Sequence, residues 1–101
     1  MDYQPSVVQA LAGSGRSVYA YFSDGSVRLF DVSPLIAQGG VFAALEDDAV
    51  FSGRLTVLNH AVAWDLSGDR DPSKCLDVDP YVVYAEAPIV EDPLEPVAQP
   101  G

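Results

Sequence analysis

The sequence predicts a small, single α+β domain in which two β-hairpins build an antiparallel sheet covered by short helices. Residues 24–25, Asp-Gly, lie between two runs of alternating apolar residues and are among the strongest short hairpin signals. Residues 59–60 separate a second pair of such runs. Residues 33–40 begin with Ser-Pro and end with Gly-Gly, which is typical of a short helix. The length of 101 residues fits one compact domain.

The first hairpin follows a β-branched run at residues 6–11 and joins residues 17–22 to the run after Gly25. A two-residue loop pairs Phe22 with Val27 and Tyr19 with Phe30. This register predicts a core face made of Val18, Ala20, Phe22, Val27 and Leu29. The opposite face carries four residues that either pack under the short helices or form a docking surface for a partner: Tyr19, Tyr21, Arg28 and Phe30. Arg28 is placed to stack on Tyr21.

The second hairpin joins residues 54–58 to residues 61–64 through Asn59 and His60. The loop pairs Leu58 with Ala61 and continues to Leu55 with Trp64. One face is then apolar and consists of Leu55, Val57, Val62 and Trp64. The alternation of apolar and polar residues predicts that this face packs on the core.

Short helices are predicted after each hairpin. Ser33 caps the first, and residues 41–45 form a further helical turn. Asp47 or Asp48 caps a third helix through Phe51. Asp-Pro at residues 71–72 predicts a helix over residues 73–77. Asp-Pro at residues 79–80 is ambiguous between strand and helix for residues 81–87, and the cap favours helix.

Residues 88–101 form a predicted acidic, proline-rich tail, and residues 1–87 the folded domain. Four prolines interrupt the tail, so it cannot form a regular helix and buries little apolar surface. We therefore expect an extended or disordered segment. Its acids Glu91, Asp92 and Glu95 are predicted contacts for a basic partner.

Charge separates the two halves of the chain and excludes one class of partner. The formal net charge is −10, with three acids against two bases up to residue 45 and twelve against three after it. Proteins that bind nucleic acid neutralise phosphates with Lys and Arg, so direct binding of DNA or RNA is not expected. A basic partner protein, or simple solubility, fits the sign.

The sequence also bears on location. No window approaches the roughly 18 consecutive apolar residues that a membrane helix needs. The N-terminus lacks the basic and apolar regions of a signal peptide. The single cysteine, Cys75, excludes an internal disulfide framework. We expect a cytoplasmic protein with no membrane partner.

No catalytic, cofactor or metal residue is assigned from the sequence, and the chain is not expected to be an enzyme. His60 is the only histidine and is predicted at an exposed hairpin tip. Cys75 is predicted as a buried thiol on a helical turn.

The segment from Asp65 to Asp71 resembles a calcium loop, but its sixth and twelfth positions are Arg70 and Leu76 instead of Gly and Glu. It is therefore expected to be a self-capped loop or a weak cation site. The run at residues 46–48 is expected to start a helix or face solvent.

Several spaced segments resemble the small bacterial family named domain of unknown function 2442. These are residues 21–25 (Tyr-Phe-Ser-Asp-Gly), 30–35 (Phe-Asp-Val-Ser-Pro-Leu), 40–45 (Gly-Val-Phe-Ala-Ala-Leu), Phe51, residues 63–64 (Ala-Trp) and residues 69–72 (Asp-Arg-Asp-Pro). The resemblance implies a compact α+β fold with an antiparallel sheet. It also implies a gene beside that of another small protein, in arrangements similar to toxin–antitoxin pairs. The chain departs from the family in Arg70, which stands where an apolar residue is usual, and in lacking a glycine just after Trp64.

Two functional hypotheses follow. The first is a small acidic protein-interaction module that binds a basic partner protein, with an antitoxin-like subunit as its specific form. The alternative is a small metal- or ligand-binding protein, or an enzyme, that uses the loop from Asp65 to Asp71. A homodimer through an exposed sheet edge is compatible with either.

Overall fold

The fold is α+β, as predicted, but the two hairpins lie in separate sheets. A computed structural model describes residues 4–94. Each sheet has three antiparallel strands. The first sheet contains β1 (Val7–Ala12), β2 (Ser17–Phe22) and β3 (Val27–Asp31), and the second contains β4 (Leu55–Leu58), β5 (Ala61–Asp65) and β6 (Cys75–Val78). The helices are α1 (Ser33–Gln38), α2 (Asp48–Gly53) and α3 (Pro80–Glu86), with 3₁₀ helices at Gly40–Glu46 and Pro72–Lys74.

The predicted register of the first hairpin is wrong by one residue. The Phe22 N–H donates to the Ser26 carbonyl at 2.9 Å, and the Phe22 carbonyl accepts from the Gly25 N–H at 3.0 Å. Of the loop residues, only Gly25 has a positive φ, 92°. The loop therefore has three residues, a type I turn followed by a left-handed glycine, instead of the predicted two. The Asp24 carboxylate supports this turn by accepting from the Ser26 N–H at 2.8 Å.

This shift exchanges the faces of β3. Ala20 now pairs with Arg28 and Val18 with Phe30, because a slip of one residue turns every side chain of a strand to the other face. Arg28 and Phe30 therefore lie on the core side with the buried residues of β2. The other side carries Leu29, which pairs with Tyr19.

The predicted register of the second hairpin is confirmed. Leu58 pairs with Ala61 and Leu55 with Trp64. Asn59 and His60 have φ values of 53° and 65°, as a two-residue type I′ turn requires. The predicted apolar face packs on the core, where Trp64 is fully buried.

Two of the three predicted helix caps are confirmed, and the third helix has a different cap residue. The Asp47 carboxylate accepts from the Ala49 N–H and the Asp79 carboxylate from the Tyr81 N–H, both at 2.9 Å, so α2 and α3 begin where the sequence indicates. Ser33 is the first residue of α1 and not its cap. The Asp31 carboxylate accepts from the Ser33 N–H at 2.9 Å instead.

The helix predicted over residues 73–77 is replaced by a 3₁₀ turn and strand β6. The Asp71 carboxylate accepts from the Ser73 N–H at 3.0 Å, but the turn ends at Lys74. Leu76 then pairs with Trp64 and Val78 with Val62 in the second sheet. The cap signal is local, and pairing with β5 overrides it because Leu76 and Val78 alternate with exposed Asp77 at a period of two residues.

One core joins the two sheets, and β1 lies against β4. The Val7 N–H donates to the His60 carbonyl at 2.9 Å, which links the sheets at this side. The buried cluster is formed by Val7, Val18, Ala20, Phe22, Phe30, Val32, Ile36, Leu45, Phe51, Val62, Trp64, Val78, Val83 and Ala87. It draws on both sheets and on all three α-helices, so these elements form one packed unit.

The chain after α3 runs along the outer edge of β3. The Leu29 N–H donates to the Pro88 carbonyl at 3.0 Å, and the Val90 N–H donates to the Val27 carbonyl at 2.8 Å. Arg28 and Ile89 form an antiparallel bridge. Contact with the sheet thus continues past the boundary predicted at residue 87. Residues 95–101 of the predicted tail lie outside the described residues.

Candidate binding groove

A groove of about 420 Å³ lies between the second half of β3, α1, the first 3₁₀ helix, the end of β6 and α3. Its apolar lining consists of Phe30, Pro34, Leu35, Phe42, Val78 and Val82. Its polar lining consists of Asp31, Gln38, Asp77, Asp79 and Glu86. No Lys, Arg, His or Cys is among these lining residues. The groove therefore combines an apolar floor with four acidic lining residues, and the lining supplies no cation and no cysteine or histidine nucleophile.

The floor is positioned by the two sheets and by α3. Phe30 on β3 is 8% exposed and Val78 on β6 is 6% exposed, so both belong to the core and reach the groove from below. Val82 on α3 is 37% exposed. Phe30 reaches this position because of the three-residue loop, since the predicted register would have turned it to the other face of the sheet. The floor therefore consists of core side chains and of the exposed Val82 next to them.

Two of the four acidic lining residues also bond the first turn of a helix. Asp31 and Asp79 each use Oδ1 to accept a backbone N–H at the start of α1 and α3. Among residues 4–94, no cation forms an ion pair with Asp31, Asp77, Asp79 or Glu86. Two of the acids are thus held in place by backbone N–H groups at helix starts, and none of the four has its charge neutralised by an ion pair within the described residues.

Arg28, a predicted partner contact, holds the end of α3. Its guanidinium lies 3.9 Å from the Tyr84 ring centroid, not on Tyr21 as predicted. Nη1 donates to the Tyr84 carbonyl at 2.9 Å and to the Ala87 carbonyl at 3.4 Å. Cations at helix C-termini satisfy carbonyls that have no partner within the helix. The shifted register explains the difference, because it turns Arg28 toward α3.

The remaining predicted contacts are divided by the sheet. Tyr19 and Tyr21 lie on the face opposite Phe30. The Tyr21 hydroxyl donates to Asp92 Oδ1 at 2.5 Å, which ties the segment after α3 to this face. Glu91 is exposed, and Glu95 lies outside the described residues. The structure therefore brings Tyr21 and Asp92 together and separates both from the groove that Phe30 lines.

The Tyr21–Asp92 contact predicts a measurable titration. Burial, followed by the hydrogen bond to Asp92, raises the pKa of Tyr21 from 10.0 to about 12. The raised pKa means that this contact stabilises the fold at pH values below 10 and that the contribution is lost as the pH rises from 10 through 12. Beside Tyr84, whose pKa the hydrogen bond to Asp24 raises, we expect an ultraviolet titration to show Tyr21 as a second late tyrosine. In Asp92→Asn its pKa should move down toward 10, whereas Glu91→Gln should leave it in place; an unchanged late titration in Asp92→Asn would contradict the contact.

The loop from Asp65 to Asp71 uses its carboxylates internally. Asp65 is 7% exposed and accepts from the Gly68 N–H at 2.9 Å and from the Arg70 N–H at 2.7 Å. Asp69 accepts from the Ser67 hydroxyl at 2.5 Å and lies 3.7 Å from Lys74 Nζ. Within residues 4–94 no group of three or more His, Cys, Asp or Glu side chains could hold a metal ion. The geometry is that of a self-capped loop.

Neither Cys75 nor His60 is placed for nucleophilic chemistry. Cys75 lies at the start of β6, not on a helix, and burial together with the charge of Asp65 raises the pKa of its thiol, which disfavours the thiolate. His60 is exposed at the tip of the second hairpin, as predicted, where Nδ1 lies 2.9 Å from the Ser6 hydroxyl.

Sequence reasoning missed β6 and therefore missed the groove. Asp77, Val78 and Asp79 line it only because residues 75–78 form a strand beside β5. A signal was present, since Leu76 and Val78 alternate with acids and Trp64 needs apolar neighbours on its own face. The Asp-Pro pair before this segment favoured a helix and obscured the signal.

No family model, no curated protein and no solved structure matches this chain. Over residues 4–94, none of the helices has the length and apolar character required to cross a membrane.

Proposed function

We propose that this chain is a non-catalytic, cytoplasmic protein-interaction module that binds a basic segment of a partner protein in the groove. The observation that carries the proposal is the composition of the groove lining. Four of the lining residues are acidic, the floor is apolar, and no lining residue is basic. Long basic side chains bury their aliphatic stems on apolar surface while the charged ends stay near the rim. A segment that alternates Lys or Arg with apolar residues satisfies both parts of the groove.

The charge of the whole chain supports the same type of partner. A net charge of −10 attracts a basic protein from a distance and increases its rate of association. The same charge repels the phosphates of nucleic acid. Electrostatic complementarity contributes more to selectivity and association rate than to final affinity, and the apolar floor supplies the burial that holds the complex together.

An antitoxin-like role is the specific form of this proposal. It is supported by the sign of the charge and by the resemblance to domain of unknown function 2442, whose genes stand beside genes for other small proteins. Co-expression of this chain with the product of an adjacent gene should yield a co-purifying pair and relieve any toxicity of that product. A neighbour that neither co-purifies nor becomes less toxic would contradict this role without affecting the groove.

Binding of a basic probe tests the groove itself. The probe is a fluorescent seven-residue peptide that alternates Lys and Val, measured by anisotropy. The triple variant Asp31→Asn, Asp79→Asn, Glu86→Gln should bind it about tenfold more weakly, since exposed charge pairs contribute roughly 0.2–1 kcal/mol each. Asparagine keeps an Oδ1 acceptor, so the hydrogen bonds at the starts of α1 and α3 are kept.

A matched control separates local from overall charge. The triple variant Glu46→Gln, Asp48→Asn, Glu91→Gln removes the same number of charges, and none of these residues lines the groove. This control variant should retain affinity for the peptide within about twofold. Binding of the peptide to the wild-type protein should weaken as salt is added, because the Debye length falls from about 10 Å at 0.1 M to about 3 Å at 1 M. Equal losses in both triple variants, or no binding of the peptide at all, would refute the groove as the binding site.

A further inference from the structure

We propose that the partner segment binds as an added antiparallel strand along the outer edge of β6, with its apolar side chains in the groove. This inference rests on the proposed function and specifies how the basic segment is held. Addition of a strand supplies backbone hydrogen bonds that do not depend on sequence, and alternating side chains then give selectivity.

The other three sheet edges lie against other parts of the chain. β1 lies against β4, and the Val7 N–H bonds the His60 carbonyl. The edge of β3 is covered by residues 88–90. Within residues 4–94, the backbone of β6 forms no hydrogen bond outside its pairing with β5. An uncovered strand edge is a template for another strand, so β6 is the place where one can add.

The register identifies the backbone groups that face outward. Residues that flank a two-residue hairpin loop form a hydrogen-bonded pair, so the backbone N–H and carbonyl of Ala61 bond to β4. Along β5, consecutive residues then direct these groups alternately to β4 and to β6. The bond from the Asp65 N–H to the Arg54 carbonyl, at 2.9 Å, continues this alternation. Val62 and Trp64 therefore bond toward β6. The backbone N–H and carbonyl groups of their partners, Val78 and Leu76, therefore face β5. Those of Asp77, between them, face away from the sheet.

The side chains of β6 define the pattern of the added strand. Val78 and Leu76 lie on the core side, and Val78 lines the groove, whereas Asp77 points to the other face. In antiparallel addition, the residue opposite Asp77 sits on the same face as its carboxylate and is best basic. The residues on either side lie beside Leu76 and Val78 and are best apolar. An alternating Lys-Val strand meets both requirements.

Charge selects a partner instead of a second copy. Two copies paired through β6 would bring Asp77 and Asp79 of one chain close to the same acids of the other. Like charges opposite each other on neighbouring strands are destabilising. A basic strand turns this repulsion into attraction, so we assign the edge to a basic partner segment.

N-methylated peptides test the strand geometry without changing the protein. N-methylation of the Lys residues removes the N–H groups that would bond the Asp77 carbonyl, whereas N-methylation of the Val residues alters N–H groups that point away. We expect the Lys-methylated peptide to bind at least about tenfold more weakly than the Val-methylated one. Equal affinities, or the reverse order, would overturn antiparallel addition at β6. The groove proposal would survive as long as the triple variant Asp31→Asn, Asp79→Asn, Glu86→Gln still weakens binding.

Asp77→Pro gives the complementary test from the protein side. Proline removes the outward N–H and is tolerated on edge strands, and Asp77→Asn is its matched control because it loses only the charge. Relative to Asp77→Asn, the proline variant should lose about tenfold in affinity for the unmodified peptide, with thermal unfolding used to check the fold. Equal binding by the two folded variants would overturn the inference. If the proline variant does not fold, the methylated peptides decide.

The oligomeric state gives a further test. Dimerisation through β6, seen by light scattering and abolished by Asp77→Pro, would assign the edge to a second copy and would also overturn the inference.

Discussion

Replacement of Trp64 with alanine is expected to lower the free energy of unfolding by about 3–5 kcal/mol, the range for truncation of a buried aromatic side chain. Trp64 is fully buried, and its ring centroid lies 5.7 Å from that of Phe51. Its Nε1–H also donates to the Phe51 carbonyl at 2.9 Å, so truncation removes both packing and a hydrogen bond between β5 and α2. Domains of this size have a total stability of roughly 5–15 kcal/mol, so the variant should be close to unfolding.

Thermal unfolding followed by far-ultraviolet circular dichroism measures this effect. Tm should fall by at least about 12 °C, at roughly 4 °C or more for each kcal/mol. Trp64→Phe keeps most of the packing and loses the hydrogen bond, so its loss should be smaller. Val41→Ala, at a side chain that is 67% exposed, is the surface control and should stay within about 0.5 kcal/mol of the wild type. A loss for Trp64→Ala as small as that of the control would contradict the assignment of Trp64 to the core.

Replacement of Arg28 with alanine should cost about 2–3 kcal/mol, which is less than Trp64→Ala but large for a half-buried polar residue. The guanidinium holds two carbonyls at the end of α3 and stacks on Tyr84. Its removal leaves those carbonyls without their cation and weakens the contact between α3 and β3. Because α3 carries Val82 and Glu86, the variant should also bind the Lys-Val peptide more weakly, although Arg28 does not line the groove.

Arg28→Lys distinguishes charge from shape at this position. Lysine keeps the positive charge but lacks the planar group that stacks on an aromatic ring and reaches two acceptors at once. We expect about half of the stability loss of Arg28→Ala, measured by urea unfolding. Identical stability of the alanine variant and the wild type would show that Arg28 does not hold α3.

The second hairpin could be predicted in full, and the first could not. At residues 59–60 the strands on both sides alternate cleanly, and a two-residue loop places Leu55 and Val57 on the same face as Trp64 and Val62. Asp-Gly at residues 24–25 fits a two-residue loop and also a three-residue loop that ends in a left-handed glycine. The choice between them depends on Phe30 entering the core and on Arg28 reaching the end of α3. Those contacts connect residues far apart in sequence, and local turn chemistry does not contain them.

The groove was beyond sequence reasoning for the same kind of reason. Its floor joins the ends of β3 and β6 with three helical segments, so it exists only after both sheets have formed. The total charge could be read from the composition. The concentration of negative charge around an apolar surface could not be read from it, because the four acidic lining residues are spread between residues 31 and 86.

The double duty of Asp31 and Asp79 restricts how this surface can change. Asp79 caps α3, Asp31 accepts from the N–H of the first residue of α1, and both line the groove. Such positions accept only a few residue types without a cost of about 1 kcal/mol. A lysine or arginine at either place would fray a helix while it reversed the charge. Selection for a different partner, or engineering of a charge-swapped pair, has more freedom at Asp77 and Glu86, for which no capping role is seen in residues 4–94.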